Sequence, residues 1–190
     1  MSFRDSDDKL WNCLAGIVSD EGLRLYDLEV RSPGSLRVFI DVAQSTATPP
    51  AVELPVDPPS EDGTPPVRPH VTSGDCSRIC RRLMILFSAE SEKWGVVPEP
   101  HIEVSSPGVN RILRRSEHFR EAVGERVKVT PIDARRITGL PSGQDVVVGS
   151  LAAFDGDTLT VNDERTAQSF QLSFLEIKKA RVDFLFEPVK

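Results

Sequence analysis

Few residues in this sequence are placed for acid–base or nucleophilic chemistry. Its three histidines, His70, His101 and His118, have no acid or nucleophile beside them at a spacing typical of a catalytic pair. Ser105 and Ser106 lack the glycines of a nucleophile elbow, and no glycine-rich phosphate loop ending in Lys-Ser or Lys-Thr occurs. We therefore expect a protein that is not an enzyme and that uses no cofactor.

The three cysteines raise the question of a metal site. Cys76 and Cys80 are one helical turn apart, but Cys13 is the only other thiol and no further Cys or His pair completes four ligands. An odd number of thiols suits a reducing compartment better than a disulfide framework. The expectation is therefore three packing residues and no metal.

Arginines and lysines of the second half are better candidates for function, as ligands of phosphate. The formal net charge is −6, but residues 111–136 carry eight basic and four acidic side chains, a local charge of +4. A basic patch of this kind binds phosphate even on an acidic protein, with an affinity that falls as salt rises. Our candidate contacts are Arg111, Arg114, Arg115, Arg126, Lys128, Arg135 and Arg136, joined by Lys178, Lys179 and Arg181.

Aromatic side chains are not interleaved with these basic residues. Phe119 and Phe154 are expected to be buried, so stacking on single-stranded bases is not indicated. Recognition of RNA by its shape and phosphates fits the composition better.

The first hundred residues predict two helices and three strands. Apolar residues at helical spacing indicate a first helix, capped by Asp5 or Ser6 and ended at Glu21-Gly22. Alternating apolar residues over 23–31 and 36–42 predict an antiparallel hairpin. A second helix, capped by Thr72 or Ser73, and a strand from His101 complete an αββαβ N-terminal domain over residues 1–107.

A proline-rich segment over residues 44–70 interrupts that domain. Eight of the fifteen prolines fall between Pro49 and Pro69, among Thr, Ser, Asp and Glu. The segment has few large apolar side chains, and their burial would not offset the conformational entropy lost when the segment becomes ordered. We therefore predict a disordered or polyproline-like insertion. Docking of a proline-binding module on it is the alternative.

Residues 108–190 predict a short helix followed by strands. The helix covers 116–121, and Asp155-Gly156 between two strands is a strong hairpin signal. The predicted strands cover residues 126–130, 145–154, 158–161, 169–172 and 180–184, with one helical turn at 173–176. The fold class expected is α+β: the αββαβ domain followed by a C-terminal SH3-like (Sm-like) small β-barrel over residues 108–190.

The stretch from Glu103 to Leu113 joins the two predicted domains. Pro107 does not donate to a strand ladder, and Gly108 tolerates the positive φ of a tight turn, so the strand ends there in a corner. The corner directs Arg111 either toward a ligand or toward an acid within the protein, for which Glu103 is one candidate.

This stretch resembles the signature of the bacterial ribosome maturation factor RimP family, a Glu-Val-Ser-Ser-Pro-Gly-Leu-Asp-Arg-Pro-Leu run. Eight of the eleven positions match: Glu103 through Gly108, Arg111 and Leu113. The changes are Val109, Ile112 and Asn110, which replaces the usual acid. The resemblance implies an interdomain hinge formed by Glu103, Ser105, Ser106, Pro107, Gly108 and Asn110.

The resemblance also implies a function. A protein of this type would bind the immature small ribosomal subunit, contact ribosomal RNA and a ribosomal protein near the decoding region, and assist late assembly. Together with an acidic start and no long apolar run, this leads us to expect a cytoplasmic monomer without membrane contact. The alternative is a protein-interaction adaptor, in which the barrel binds a peptide and the proline-rich segment recruits a second partner without RNA.

Overall fold

A computed structural model describes residues 8–43, 70–137, 139–141 and 143–185 of the protein. The predicted caps Asp5 and Ser6 lie outside the described residues, as does the predicted insertion apart from His70. The chain divides into two units, Met1–Pro107 and Gly108–Lys190. Three α-helices and two sheets occur in the described ranges, so the predicted α+β class is confirmed.

The first unit is a three-stranded sheet packed on two helices. In chain order its elements are α1 (Asp8–Ser19), β1 (Leu23–Ser32), β2 (Ser35–Val42), α2 (Ser73–Trp94) and β3 (His101–Ser105). Strand β2 is central, antiparallel to β1 and parallel to β3. Ile102 and Val104 of β3 pack on the core together, as their alternation predicts.

Helix α2 begins and ends at residues that the sequence marks. The Thr72 hydroxyl accepts a hydrogen bond from the Asp75 amide at 3.2 Å, and the Asp75 carboxylate accepts one from the Thr72 amide at 2.8 Å. This reciprocal pair shows that Thr72, one of the two caps predicted, is the cap. Hydrogen bonds from Thr72 also lower the pKa of Asp75. The helix ends at Gly95, whose φ of 64° is accessible at little cost only to glycine.

The second unit contains a five-stranded antiparallel sheet and a short helix. The elements are α3 (Ser116–Glu121), β4 (Arg126–Pro131), β5 (Val147–Phe154), β6 (Thr158–Asp163), β7 (Ser169–Ser173) and β8 (Ile177–Val182). The strand order is β7-β6-β5-β4-β8. Strands β7 and β8 lie at the two edges and are joined through a 3-10 turn, Phe174–Glu176, rather than by pairing. The expected barrel is therefore not closed by hydrogen bonds in the described part of the chain.

The core of the second unit lies on one face of this sheet. Phe119 of α3 is buried as predicted, and Phe154, which is half-buried, packs against it with ring centroids 5.5 Å apart. Phe174 stands edge-on to Phe119 at 5.4 Å. These aromatic contacts hold α3 on the sheet, and they leave neither predicted ring available for stacking on a nucleic acid base.

Strand β8 begins three residues earlier than the predicted strand at 180–184. Thr130 pairs with Lys179 and Pro131 with Ile177, so Lys178 is an extra residue in the ladder, a β-bulge. The bulge shifts the in–out alternation by one residue, and Lys178 and Lys179 are both exposed. That interruption of the apolar pattern is why the sequence alone placed the strand too late.

Candidate nucleic-acid interface

The Ser-Pro-Gly corner leads into a short extended segment along the edge of β8. Gly108 has a φ of 72°, so the predicted positive φ is confirmed. Beyond it, the Val182 amide donates to the Arg111 carbonyl at 2.9 Å and the Leu113 amide donates to the Ala180 carbonyl at 2.9 Å. Residues 111–113 are therefore paired with β8, and the edge of the sheet is covered there.

Asn110 extends this pairing by one contact. Its side-chain carbonyl accepts a hydrogen bond from the Phe184 amide at 2.8 Å. An amide oxygen and a carboxylate oxygen are both acceptors. Asn110, which replaces the acid of the RimP-like signature, therefore keeps an acceptor at this position.

Arg111 is held by an acid of its own unit. Its guanidinium donates to both carboxylate oxygens of Glu125, at 3.0 and 2.7 Å, and its side chain is 18% exposed. Glu103, the partner considered from the sequence, instead binds Arg37 of the neighbouring strand at 2.6 Å. Of the two roles expected for Arg111, a ligand contact or a pair with an acid within the protein, the bidentate pair shows the second, with Glu125 as the acid.

Arg126 is also engaged within the protein. It donates to Glu164 at 2.8 Å, to the Asp183 carbonyl at 3.0 Å and to the Asp183 carboxylate. The hydrogen bond with Glu164, and the charges of both acids, raise the pKa of Arg126. Arg181 approaches Asp183 as well, at 3.3 Å. These contacts hold β4 and the residues after β8 together, and they leave Arg126 poorly placed to meet phosphate.

Two further candidates, Arg135 and Arg136, lie in the β4–β5 connection. Arg135 is highly exposed, with 91% of its side chain accessible, but its guanidinium pairs with Asp133 two residues earlier at 3.0 Å. The pair is locally neutral. Arg136 belongs to the 3-10 turn Ala134–Arg136, and its side chain lies outside the described part of the structure.

Four exposed basic residues flank a single backbone hydrogen bond. The Leu113 amide donates to the Ala180 carbonyl. Arg114 and Arg115 come directly after Leu113 in the chain, and Lys178 and Lys179 come directly before Ala180. We call these four residues the basic cluster. Within the described ranges Lys178 and Lys179 make no ion pair. Lys128 lies on the neighbouring strand β4, opposite Arg181, and extends the cluster across the sheet.

His118 is a residue whose role the sequence did not reveal. It is 2% exposed, and its Nδ1 accepts hydrogen bonds from the Arg114 amide at 3.1 Å and the Arg115 amide at 3.4 Å. The imidazole thereby fixes the backbone that carries two members of the basic cluster. The spacing of three and four residues is its only sequence signal, and it does not distinguish this role from ordinary packing.

The remaining hinge residues lie around the end of β3. Glu103 and Ser105 belong to that strand, and Ser105 pairs with Phe39 in the parallel ladder with β2. Ser106 is exposed and Pro107 half-buried. No group of three His, Cys, Asp or Glu side chains among the described residues is arranged to hold a metal ion, and no described helix is long and apolar enough to cross a membrane.

Cys13, Cys76 and Cys80 are unpaired by disulfide and half-buried. Burial raises the pKa of the Cys76 thiol, which keeps it in the unreactive protonated form near neutral pH. Cys76 packs against the core of the first unit, as predicted for it. No protein-family model matches the sequence.

Proposed function

We propose that the protein is a ribosome maturation factor of the RimP type, which binds the immature small ribosomal subunit in the cytoplasm and assists its late assembly. The observation that carries the binding proposal is the pairing of Leu113 with Ala180, which gathers the four exposed cations of the basic cluster. The ribosomal assignment rests on the signature-like run from Glu103 to Leu113.

The strand order supports an SH3-like reading of the second unit. Its last strand, β8, pairs with its first, β4, and one helical turn precedes β8. Small sheets of this kind present loops and strand faces to RNA and to peptides. We propose that this unit contacts ribosomal RNA, and beside it a ribosomal protein near the decoding region.

The mode of binding follows from the side chains available. Lysine and arginine contact phosphate oxygens and do not by themselves read sequence. The exposed face of the sheet near the cluster carries polar residues such as Lys128, Thr130 and Lys179 rather than aromatic ones. Recognition through RNA shape and phosphates follows, with modest affinity because the chain carries a net charge of −6. Reversible holding of an RNA conformation requires no catalytic group.

Charge reversal of the cluster tests the proposal. We expect the quadruple variant Arg114→Glu, Arg115→Glu, Lys178→Glu, Lys179→Glu to lose co-sedimentation with immature small subunits in sucrose gradients, because attraction to phosphate becomes repulsion. Arg165→Glu is the control for a single charge reversal outside the cluster, at an exposed cation in the β6–β7 turn that β4 and β5 separate from β8. Arg111 is excluded because reversing it breaks the pair with Glu125.

Two results would contradict the proposal. One is unchanged sedimentation of the quadruple variant with an unfolding transition like that of the wild type. The other is association with ribosomal particles that survives complete RNase digestion and is lost when residues 46–69 are deleted. The second result identifies the protein as an adaptor that acts through its proline-rich segment.

A further inference from the structure

The two edges of the sheet in the second unit differ in whether another segment pairs with them. The edge of β8 is covered by residues 111–113, which pair with it. At the other edge, β7 pairs with β6 and with no other strand of the described ranges. An uncovered edge offers a row of backbone donors and acceptors to another extended chain.

The alternation of bonded and non-bonded pairs between β6 and β7 shows which backbone groups of β7 point away from the sheet. The Asp163 amide donates to the Gln168 carbonyl at 2.8 Å, and the Phe174 amide donates to the Asp157 carbonyl at 2.7 Å. In the antiparallel register of β6 with β7, such bonded pairs alternate with non-bonded ones, so Phe170 and Leu172 point their backbone groups toward β6. The backbone groups of Ser169, Gln171 and Ser173 therefore point away from the sheet, and none has a partner among the described residues.

Three devices that protect edge strands, a charged side chain, a proline and a β-bulge, are absent from β7. Its sequence, Ser169-Phe170-Gln171-Leu172-Ser173, contains no charge and no proline, and its ladder with β6 has no bulge. The exposed residues Ser169 and Gln171 are neutral and polar. Nothing on this strand therefore repels a second strand that approaches the edge.

The strand is also complementary to itself. Antiparallel pairing of two copies about Gln171 places Ser169 opposite Ser173 of the second copy and Phe170 opposite Leu172. Gln171 meets its own counterpart. This register brings together the outward-pointing backbone groups of residues 169, 171 and 173, so that three bonded pairs form. Phe170 and Leu172, which face the core of each copy, would continue the apolar layer across the junction.

We propose that two copies of this chain associate through their β7 edges, as an isologous dimer with a continuous antiparallel sheet. This departs from the monomer expected from the sequence and does not rest on the ribosomal function proposed above. Because β8 lies at the opposite edge of each sheet, the dimer would carry one basic cluster at each outer margin. If the basic cluster binds phosphate as proposed above, such a dimer contacts phosphates at two places at once.

Substitution of Gln171 tests the dimer, because this side chain would meet its own copy across the two-fold axis. We expect sedimentation equilibrium to show a concentration-dependent dimer for the wild type. Gln171→Lys is expected to weaken it about fivefold or more, since like charges directly opposite each other repel. Ala152→Lys is the control, adding the same charge at an exposed position of β5.

Mixing opposite charges gives the decisive measurement. Gln171→Lys and Gln171→Glu are each expected to dimerise poorly alone and to form a heterodimer with each other at least as tight as the wild-type dimer. A wild-type protein that stays monomeric at every concentration overturns the proposal. So does a dimer that Gln171→Lys leaves unchanged, or a mixture that shows no preference for the hetero pair. Thermal unfolding of each variant verifies that the fold is retained.

Discussion

At the scale of single residues, a buried carboxylate organises the turn between β6 and β7. Asp163 is 2% exposed and accepts hydrogen bonds from the Thr166 amide and hydroxyl, the Val148 amide and the Gln144 side chain, at 3.0 to 3.3 Å. Burial alone raises the pKa of Asp163, but these hydrogen bonds outweigh it and the pKa is lowered. The charged form is therefore the one that the fold favours.

Asp163→Asn is expected to destabilise the second unit by about 1–3 kcal/mol at neutral pH. The asparagine amide is a neutral acceptor in place of a charged one, and its NH2 group would face the donors of Thr166, Val148 and Gln144. The free energy of unfolding, from urea titrations, measures this. The pKa of the folded state lies below the unfolded value of about 3.9, so the stabilisation is complete above that value and is lost as pH falls through the folded pKa.

The difference between wild type and Asp163→Asn should therefore shrink in acid. Asp145→Asn is the control, since Asp145 is exposed beside Gln144, and we expect it to have little effect on stability. A destabilisation by Asp163→Asn that stays constant down to acid pH would show that altered packing, rather than the carboxylate charge, is responsible.

At the scale of elements, β5 and β6 approach each other closely at one glycine. Gly149 faces Asp163 across the ladder, and a Cβ on Gly149 would stand 1.8 Å from the carbonyl oxygen of Asn162. Backbone cannot give way as a flexible side chain does. Glycine is therefore required here by space, and its φ plays no part.

Gly149→Ala is expected to destabilise the protein by about 3 kcal/mol or more, because the strands must separate to admit the methyl group. Gly16→Ala is the control: Gly16 lies in α1 with nothing within 4 Å of an added Cβ, and the exchange should stabilise by about 0.5–1 kcal/mol. Denaturant unfolding of both variants measures the contrast. Equal stability of Gly149→Ala and wild type would mean that the two strands do not approach as described.

Local sequence signals predicted most helices and strands. They did not predict contacts between residues that are far apart in the sequence. Thr72 and Gly108 carry their roles in their own chemistry, a cap and a positive φ, and both were predicted correctly. The partner of Arg111 is set by tertiary packing, fourteen residues away at Glu125, and several acids were equally plausible from the sequence. The bulge at Lys178 likewise depends on how β8 pairs with β4.

The sequence predicted a broad set of cations as candidate phosphate contacts, and the structure shows that some of them are paired with acids. Arg111 and Arg126 are two such candidates, and a cation already matched to carboxylates gains little from phosphate. Composition counts charges but does not show which of them are neutralised. The nearness of Arg115 to Lys178 arises from pairing between segments more than sixty residues apart, which periodicity does not reveal.

At the scale of the whole molecule, the basic cluster is a small cationic region on a protein whose net charge is −6. If the protein binds the immature small subunit as proposed, Lys178→Ala with Lys179→Ala should reduce the slope of log affinity against log salt by about 1.5, because a phosphate that the protein does not neutralise keeps its counterions. Filter binding across a salt series measures the slope. Arg165→Ala should leave it unchanged, and an unaltered slope in the double variant would remove both lysines from the interface.

The pairing of Asn110–Leu113 with residues 180–184 has a consequence for biosynthesis. A translating ribosome produces the first unit completely by Pro107, so that unit is free to fold while the remainder is still being made. The second unit waits, since its opening segment finds its hydrogen-bond partners only after Phe184 has emerged from the exit tunnel. Nascent chains stalled before Phe184 would therefore display a finished first unit beside an unfinished second one.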